Sequence, residues 1–182
     1  KMDLRTDYRE NNLTDIIDML LDDRGNLWIT SWHKGLFRYN LNSGRLYSYA
    51  TGALGEAYVL HQDRRGSLWV GTWGDGLLKV DLSRNMESTL QYTRYSHESW
   101  DQTSLLDDII YDIDEDASGR IWVGSRSGLS IMEGNQFVNR YPDSGFDGLP
   151  YNEVNSILRT KDNTMWLGML GGGVCKVVSS SR

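Results

Sequence analysis

Apolar and aromatic residues gather in short runs separated by polar turn residues, and the runs recur along the chain. Ile16 to Leu21, Leu27 to Ser31, Leu36 to Asn40 and Arg45 to Tyr49 predict four short strands, a, b, c and d in that order, with a turn at Asp23 to Asn26 and another ending at Gly35. Near-continuous apolar stretches such as Leu27-Trp28-Ile29 and Ile109-Ile110-Tyr111 suit strands whose two faces are both covered. Four antiparallel strands of this length make one blade of a β-propeller, and an isolated blade would leave those faces in water.

The unit repeats. Asp22-Asp23-Arg24-Gly25-Asn26-Leu27-Trp28, Asp63-Arg64-Arg65-Gly66-Ser67-Leu68-Trp69 and Asp116-Ala117-Ser118-Gly119-Arg120-Ile121-Trp122 share Asp-x-x-Gly-x-(Leu/Ile)-Trp. A fourth copy, Thr160 to Trp166, keeps the tryptophan, loses the aspartate, and has Asn163 in place of the glycine, a residue that tolerates positive φ. The tryptophans are 41, 53 and 44 residues apart, the spacing of a four-stranded blade. A polar insertion, His97 to Ser104, accounts for the longest interval. Downstream of each tryptophan a second turn ends in glycine, at Gly35, Gly76, Gly128 and Gly173, as a tight hairpin requires. The aspartate accepts hydrogen bonds from the turn, the glycine allows the reversal, and the tryptophan wedges against the next sheet, so these residues are scaffold.

The reading is therefore all-β: four four-stranded repeats, with blades at about 13–50, 56–96, 107–142 and 152–178 forming one propeller segment over 1–182. The last blade lacks its outer strand, which residues 1–8 are placed to supply in a closed small ring; the simpler expectation is a fragment of a larger, seven-bladed propeller, its ends cut from a longer protein. Open blade edges then invite a homodimer or other self-association.

Composition agrees: the 182 residues hold 19 glycines against 2 prolines, with 7 tryptophans and 10 tyrosines. A net charge of −6 argues against a nucleic-acid or anionic-lipid partner, which needs a dense positive field. The single cysteine, Cys175, reads as a buried spare thiol and says nothing of the compartment. No apolar run is long enough to span a bilayer, so any membrane association comes through segments outside this chain.

Asp63 to Leu77, with Asp-x-x-Gly-x-Leu-Trp-Val-Gly-Thr followed by Gly-Asp-Gly-Leu, resembles the two-component regulator propeller repeat, and Asp22 to Leu36 and Asp116 to Leu129 are second and third copies. The resemblance implies seven-bladed propellers that form the periplasmic sensor half of Bacteroides-type hybrid two-component systems, detect oligosaccharides and signal to a histidine kinase. Thr30 departs from it by replacing a glycine, and the third copy is one residue short before Gly128.

Candidate chemistry lies in the non-repeating loops, since the b–c turns and the d–a connections cluster on one propeller face. These hold Trp32, His33, Lys34, Trp73, Asp75 and Arg126 in the turns, and Glu56, Trp100, Asp101, Asp143, Tyr151 and Asn152 in the connections. Trp32, Trp73 and Trp100 suit an oligosaccharide, because an indole face covers the C–H side of a pyranose while polar neighbours bond its hydroxyls. The other reading of Trp32 and Trp73 is packing between b strands. Lys34 and Arg126 fit a uronate or sulfate, or are solvated cations.

No cofactor or metal is expected. One cysteine with His33, His61 and His97 makes no zinc spacing, and Gly171-Gly172-Gly173 lacks the Lys-Ser/Thr of a phosphate cradle. The acidic run Asp112 to Asp116 reads as a strand entering a turn, in preference to a glycosidase pair or a calcium loop. Two rivals to a sensor remain: a propeller lyase of the streptogramin-inactivating type, with His33 or His97 as base, and a plain dimerisation scaffold.

Overall fold

A computed structural model describes residues 13–83, 86–142 and 148–178. The expected outer strand at 1–8 and the loop residue Asp143 lie outside the described residues. Four antiparallel sheets follow one another along the chain. The first is β1 (Ile16–Leu21), β2 (Asn26–Ser31), β3 (Gly35–Asn40) and β4 (Arg45–Tyr49), paired in chain order. The second is β5 (Ala57–Gln62), β6 (Leu68–Thr72), β7 (Leu77–Asp81) and β8 (Gln91–Tyr95), entered through a 3-10 turn at Gly52–Glu56. The third is β9 (Ile110–Glu115), β10 (Ile121–Ser125), β11 (Gly128–Glu133) and β12 (Gln136–Arg140), and the fourth has β13 (Val154–Arg159), β14 (Met165–Met169) and β15 (Gly173–Lys176). β1, β5, β9 and β13 touch one another in that order, so the sheets fan out from a shared inner edge. Among the described residues no helix is long and apolar enough to cross a membrane.

Each first hairpin is closed by the repeated aspartate. Asp22 accepts the N–H groups of Arg24 (2.9 Å) and Asn26 (2.8 Å) on one oxygen and the Trp28 indole N–H (2.8 Å) on the other. Asp63 does the same for Arg65, Ser67 and Trp69, and Asp116 for Ser118, Arg120 and Trp122. Turn and tryptophan are thus one device: the carboxylate that folds the loop also satisfies the buried indole donor. Burial by itself would raise these carboxyls, but the bonds from Asn26 and Trp28, from Trp69 and Ser67, and from Arg120 and Trp122 outweigh it and hold all three below their ordinary value. The fourth turn substitutes a Thr160–Asp162 pair, with Asn163 at φ +64°, and its Trp166 is only half-buried.

Blades meet through three apolar clusters. Trp28 and Leu36 pack on Leu60, Leu68, Val70 and Leu78 of the second sheet. Trp69 and Leu77 pack on Ile110, Ile113, Ile121 and Val123 of the third, and Trp122 and Leu129 on Val154, Ile157, Met165 and Leu167 of the fourth. Cys175 is half-buried rather than buried, because β15 ends the described sheets and its outward side has no strand over it.

The departure at Thr30 has a structural reason. A Cβ on the corresponding Gly71 would stand 2.6 Å from Ile110 Cγ2 and from Val59 Cγ1, and one on Gly124 would stand 2.6 Å from the Val154 carbonyl. The register position of Ile110 and Val154 is taken in the second blade by Ala57, which removes the obstructing bulk. Thr30 fills the room, accepting from the Asp18 N–H (3.0 Å) and donating to the Tyr58 carbonyl (2.8 Å).

Candidate functional site

The b–c turns and the connections into each blade converge at one end of the sheets. The N–H just after each b strand donates to the carbonyl at the entry of the same blade: Trp32 to Asp15 (2.9 Å), Trp73 to Glu56 (2.9 Å), Arg126 to Ile109 (3.2 Å) and Leu170 to Glu153 (3.1 Å). Next to each of these bonds the inner strand carries a bulge. The register passes from Ile16 to Asp18, Ala57 to Val59, Ile110 to Asp112 and Val154 to Ser156, leaving Ile17, Tyr58, Tyr111 and Asn155 unpaired. A bulged residue is turned away from the alternation of its strand.

Two of the bulged residues join the loop tryptophans in an aromatic belt that runs across the first three blades. Tyr58 lies 5.8 Å from Trp32 and 5.1 Å from Trp73 between ring centres; Trp32 and Trp73 are 5.1 Å apart, and Tyr111 follows at 5.7 Å from Trp73. The contacts are tilted or edge-on, and all four rings are half-buried. Trp32 and Trp73 therefore pack against neighbours and still present part of their rings to solvent. Exposed His33, at φ +55°, sits 4.6 Å from the Trp32 ring with Nδ1 3.7 Å from Glu56 Oε2. Lys34 Nζ donates to Thr14 Oγ1 at 2.6 Å beside them. Burial pushes the Tyr111 phenol up, helped by the Glu153 charge.

The other expected residues fall into separate groups. Asp75 is tied by its N–H to Thr72 Oγ1 (2.9 Å) and by its carboxylate to Arg94 (3.1 Å). Arg126 Nε is 3.2 Å from Asp107 Oδ2, which also accepts the Ser127 hydroxyl. Trp100 is 82% exposed at the tip of the inserted loop. That loop is bound to the outer strand β12, through Phe137 N–H to Thr103 (2.8 Å) and the Asn139 amide to Gln102 (3.1 Å) and Ser104 (2.9 Å). Among the described residues no ring contact joins Trp100 to the belt. Asp101 bonds the Thr103 hydroxyl (2.7 Å) and N–H (2.8 Å), which holds its carboxyl below the usual range and makes it a turn former. Tyr151 leans on the glycine turn, where a Cβ at Gly172 would stand 2.5 Å from its own Cβ, and Asn152 is exposed.

Of the histidines weighed as bases, His97 has Nδ1 2.9 Å from the Leu105 carbonyl, inside the insertion, and His33 faces Glu56. Among the described residues no group of three or more His, Cys, Asp or Glu is gathered to hold a metal. Reading the loops missed Tyr58 and Tyr111. Their signal was present, an aromatic second residue in the inner strands of the second and third blades, but an aromatic in a strand is first read as core. It also missed His61 on β5, whose buried Nε2 has no hydrogen-bond partner; burial pushes its imidazole down, against the raising effect of Asp114 and Glu115.

Successive four-stranded antiparallel blades on a common inner edge, joined by tryptophan-centred clusters, define the β-propeller class. The family described as two component regulator propeller matches residues 53–74, 104–127 and 148–171 of the chain. Each match spans a blade entry, the inner strand, the aspartate turn or its substitute, and the b strand.

Among solved structures the chain is similar to the extracellular domain of a hybrid two component system from B. thetaiotaomicron, with TM-score 0.74 and 18% identity over 89% of this chain and 23% of that one. It is also similar to PorZ, a surface component of the type-IX secretion system of Porphyromonas gingivalis (TM-score 0.64, 20% identity, 89% of this chain and 25% of that one). A third is virginiamycin B lyase from Staphylococcus aureus (TM-score 0.60, 15% identity, 92% of this chain and 57% of that one). At these identities the likeness is one of fold. The chain spans about a quarter of the length of the first of them. No curated protein sequence matches the chain.

Proposed function

We propose that this chain is part of the periplasmic, ligand-sensing propeller of a hybrid two-component regulator, and that it recognises an oligosaccharide and signals to a downstream histidine kinase. The observation that carries the reading is the belt of Trp32, Tyr58, Trp73 and Tyr111, half-exposed at the end where the variable loops gather. Aromatic faces bordered by His33, Glu56 and Lys34 combine the apolar platform and the hydroxyl-bonding groups that a sugar ring requires. The repeat family and the likeness to an extracellular domain of a hybrid two component system support a sensory role in an extracytoplasmic setting. The kinase and any membrane-spanning segment belong to parts of the protein outside this chain. Signalling then rests on a difference in ligand affinity between two arrangements of the receptor.

The test is calorimetry of the chain against a panel of neutral and acidic oligosaccharides, followed by Trp73→Ala. Loss of one stacking ring of this size is expected to weaken a bound sugar about tenfold or more. Absence of heat with every oligosaccharide overturns the reading and leaves a scaffold; unchanged affinity in Trp73→Ala overturns the aromatic belt as the binding site.

A further inference from the structure

At the end of the sheets opposite the aromatic belt, the second blade and the first-blade turn packed on it border an open pocket of about 600 Å³, within the about 300–1,000 Å³ of small-molecule sites. Its walls are the a–b turns at Arg24 and Arg65, the end of β7 and the outer strand β8. Three cations line it, Arg24, Arg65 and Lys79, against one carboxylate, Asp81, whose Oδ1 already accepts the Ser83 N–H (2.9 Å) and hydroxyl (2.6 Å). In a chain of net charge −6 this local excess runs against the whole. Elsewhere arginines sit on acids: Arg64 on Glu115 (2.7 Å), Arg94 on Asp75 (3.1 Å), Arg120 on Asp116 (2.7 Å) and Arg126 on Asp107 (3.2 Å). Among the described residues no carboxylate stands within ion-pair distance of Arg24, Arg65 or Lys79.

The fold does not call for these charges. Arg24 and Arg65 hold one position of the turn motif, which is Ser118 in the third blade and Asp162 in the fourth. The turn uses only the backbone N–H there, given to Asp22 by Arg24 (2.9 Å), to Asp63 by Arg65 (3.0 Å) and to Asp116 by Ser118 (2.9 Å). Arg24 Nη1 also donates to the Leu82 carbonyl (2.8 Å), which fixes the guanidinium across the first junction and leaves it further donors. Lys79 lies opposite Trp69, its Nζ 5.2 Å from the ring centre. Its counterpart in the first blade, Arg38, is spent on the Tyr49 hydroxyl (3.1 Å) and the Met86 carbonyl (3.1 Å), and in the third blade the position is Ile131. Ser67, Gln91 and Tyr95 complete the lining with neutral polar groups, and burial pushes the Tyr95 phenol up, so it remains a donor.

We propose that this pocket binds a polyanion: a polyhydroxylated molecule carrying two or more sulfate or phosphate ester groups. Guanidinium groups meet such oxyanions with paired donors, and the lysine adds a point charge. Arg24 reaches in from the first junction and Lys79 from the Trp69 side of the second sheet, so the charges stand apart and suit separate anionic groups better than one small ion. The neutral lining bonds the hydroxyls of the carrier. This site is distinct from the belt and does not rest on the reading given to it.

Calorimetry of the whole chain at low ionic strength tests this, with inositol hexakisphosphate, sucrose octasulfate, inorganic phosphate and inorganic sulfate as separate titrants. At least one of the two polyanions is expected to bind at micromolar concentration and more tightly than either inorganic ion, and the tighter of them identifies the ester. Arg65→Gln and Lys79→Gln are each expected to weaken it about fivefold or more with an unchanged circular dichroism spectrum. Should Lys79→Gln fail to fold, Arg65→Glu decides, since Arg65 is exposed and reversal of its charge is expected to weaken binding more than about tenfold. Lys161→Gln, at an exposed cation of the fourth blade, is expected to leave the affinity unchanged. No binding of either polyanion, inorganic ions bound as tightly, full affinity in a folded Arg65 or Lys79 variant, or an equal loss in Lys161→Gln each overturns the proposal.

Discussion

Replacing Asp63 by alanine tests the central device of the repeat. The carboxylate accepts the Trp69 indole N–H at 2.9 Å, the Ser67 N–H at 2.8 Å and the Arg65 N–H at 3.0 Å. Ser67 and Arg65 lie in a solvent-facing turn, where water takes over from the lost acceptor at little cost. Trp69 is 2% exposed and its indole donor has nowhere else to turn. A hydrogen bond to a charged group is worth about 1.5–3 kcal/mol, and a buried donor left without a partner costs about 1–3 kcal/mol. These describe the same event and are not added, so Asp63→Ala is expected to cost about 1.5–3 kcal/mol. Asp63→Asn is expected to cost nearly as much, since its amide turns a donor toward one of the donors the carboxylate served. Urea unfolding followed by tryptophan fluorescence measures both, with Asp23→Ala as control: its exposed pair with Gln62 is worth about 1 kcal/mol at most. A change below about 0.5 kcal/mol in Asp63→Ala would refute the reasoning and make the aspartate a loop former only.

Gly71→Ala drives a methyl to 2.6 Å from Ile110 and Val59, and overpacking of this kind costs about 1–3 kcal/mol; adding Ile110→Ala, which copies the Thr30 and Ala57 arrangement, is expected to recover part of it in thermal unfolding. Asp112 is pushed up to about 6 by burial, against the bonds from the Ile157 (2.6 Å) and Ile113 (2.9 Å) N–H groups. Because its folded value lies above the unfolded one, the folded state holds the proton more tightly and its ionisation opposes folding. Stability from this group is therefore expected to rise as pH falls from about 6 toward 4, by on the order of 3 kcal/mol, and to vanish in Asp112→Ala; urea midpoints across that range measure it. Asp22, Asp63 and Asp116 carry the opposite sign, since their lowered values make stability present above the ordinary carboxylate range and lost as pH falls below it, so acid unfolding should set in below about pH 4.

The sequence by itself determined the blade. The strands of the first unit need only local information: turn chemistry at Asp22 to Asn26, positive φ at Gly25 and Gly35, and apolar runs of strand length, and the observed strands begin within one residue of the expected ones. The recurrence of Asp, Gly and Trp at blade spacing carried the architecture, because a periodic turn motif encodes a periodic structure. Only the tertiary structure decided which side chains meet across blades. That Ala57 makes room for Thr30, and that Tyr58 is turned by a bulge into the gap between Trp32 and Trp73, both depend on placing a residue of one unit against a residue well separated from it along the chain. Loop membership likewise grouped Trp100 with the other tryptophans, whereas hydrogen bonds to β12 carry it to the outer side of the third blade. Local patterns fix what a segment becomes; which faces are covered is set by the stacking of whole sheets, a long-range outcome that no stretch of sequence records.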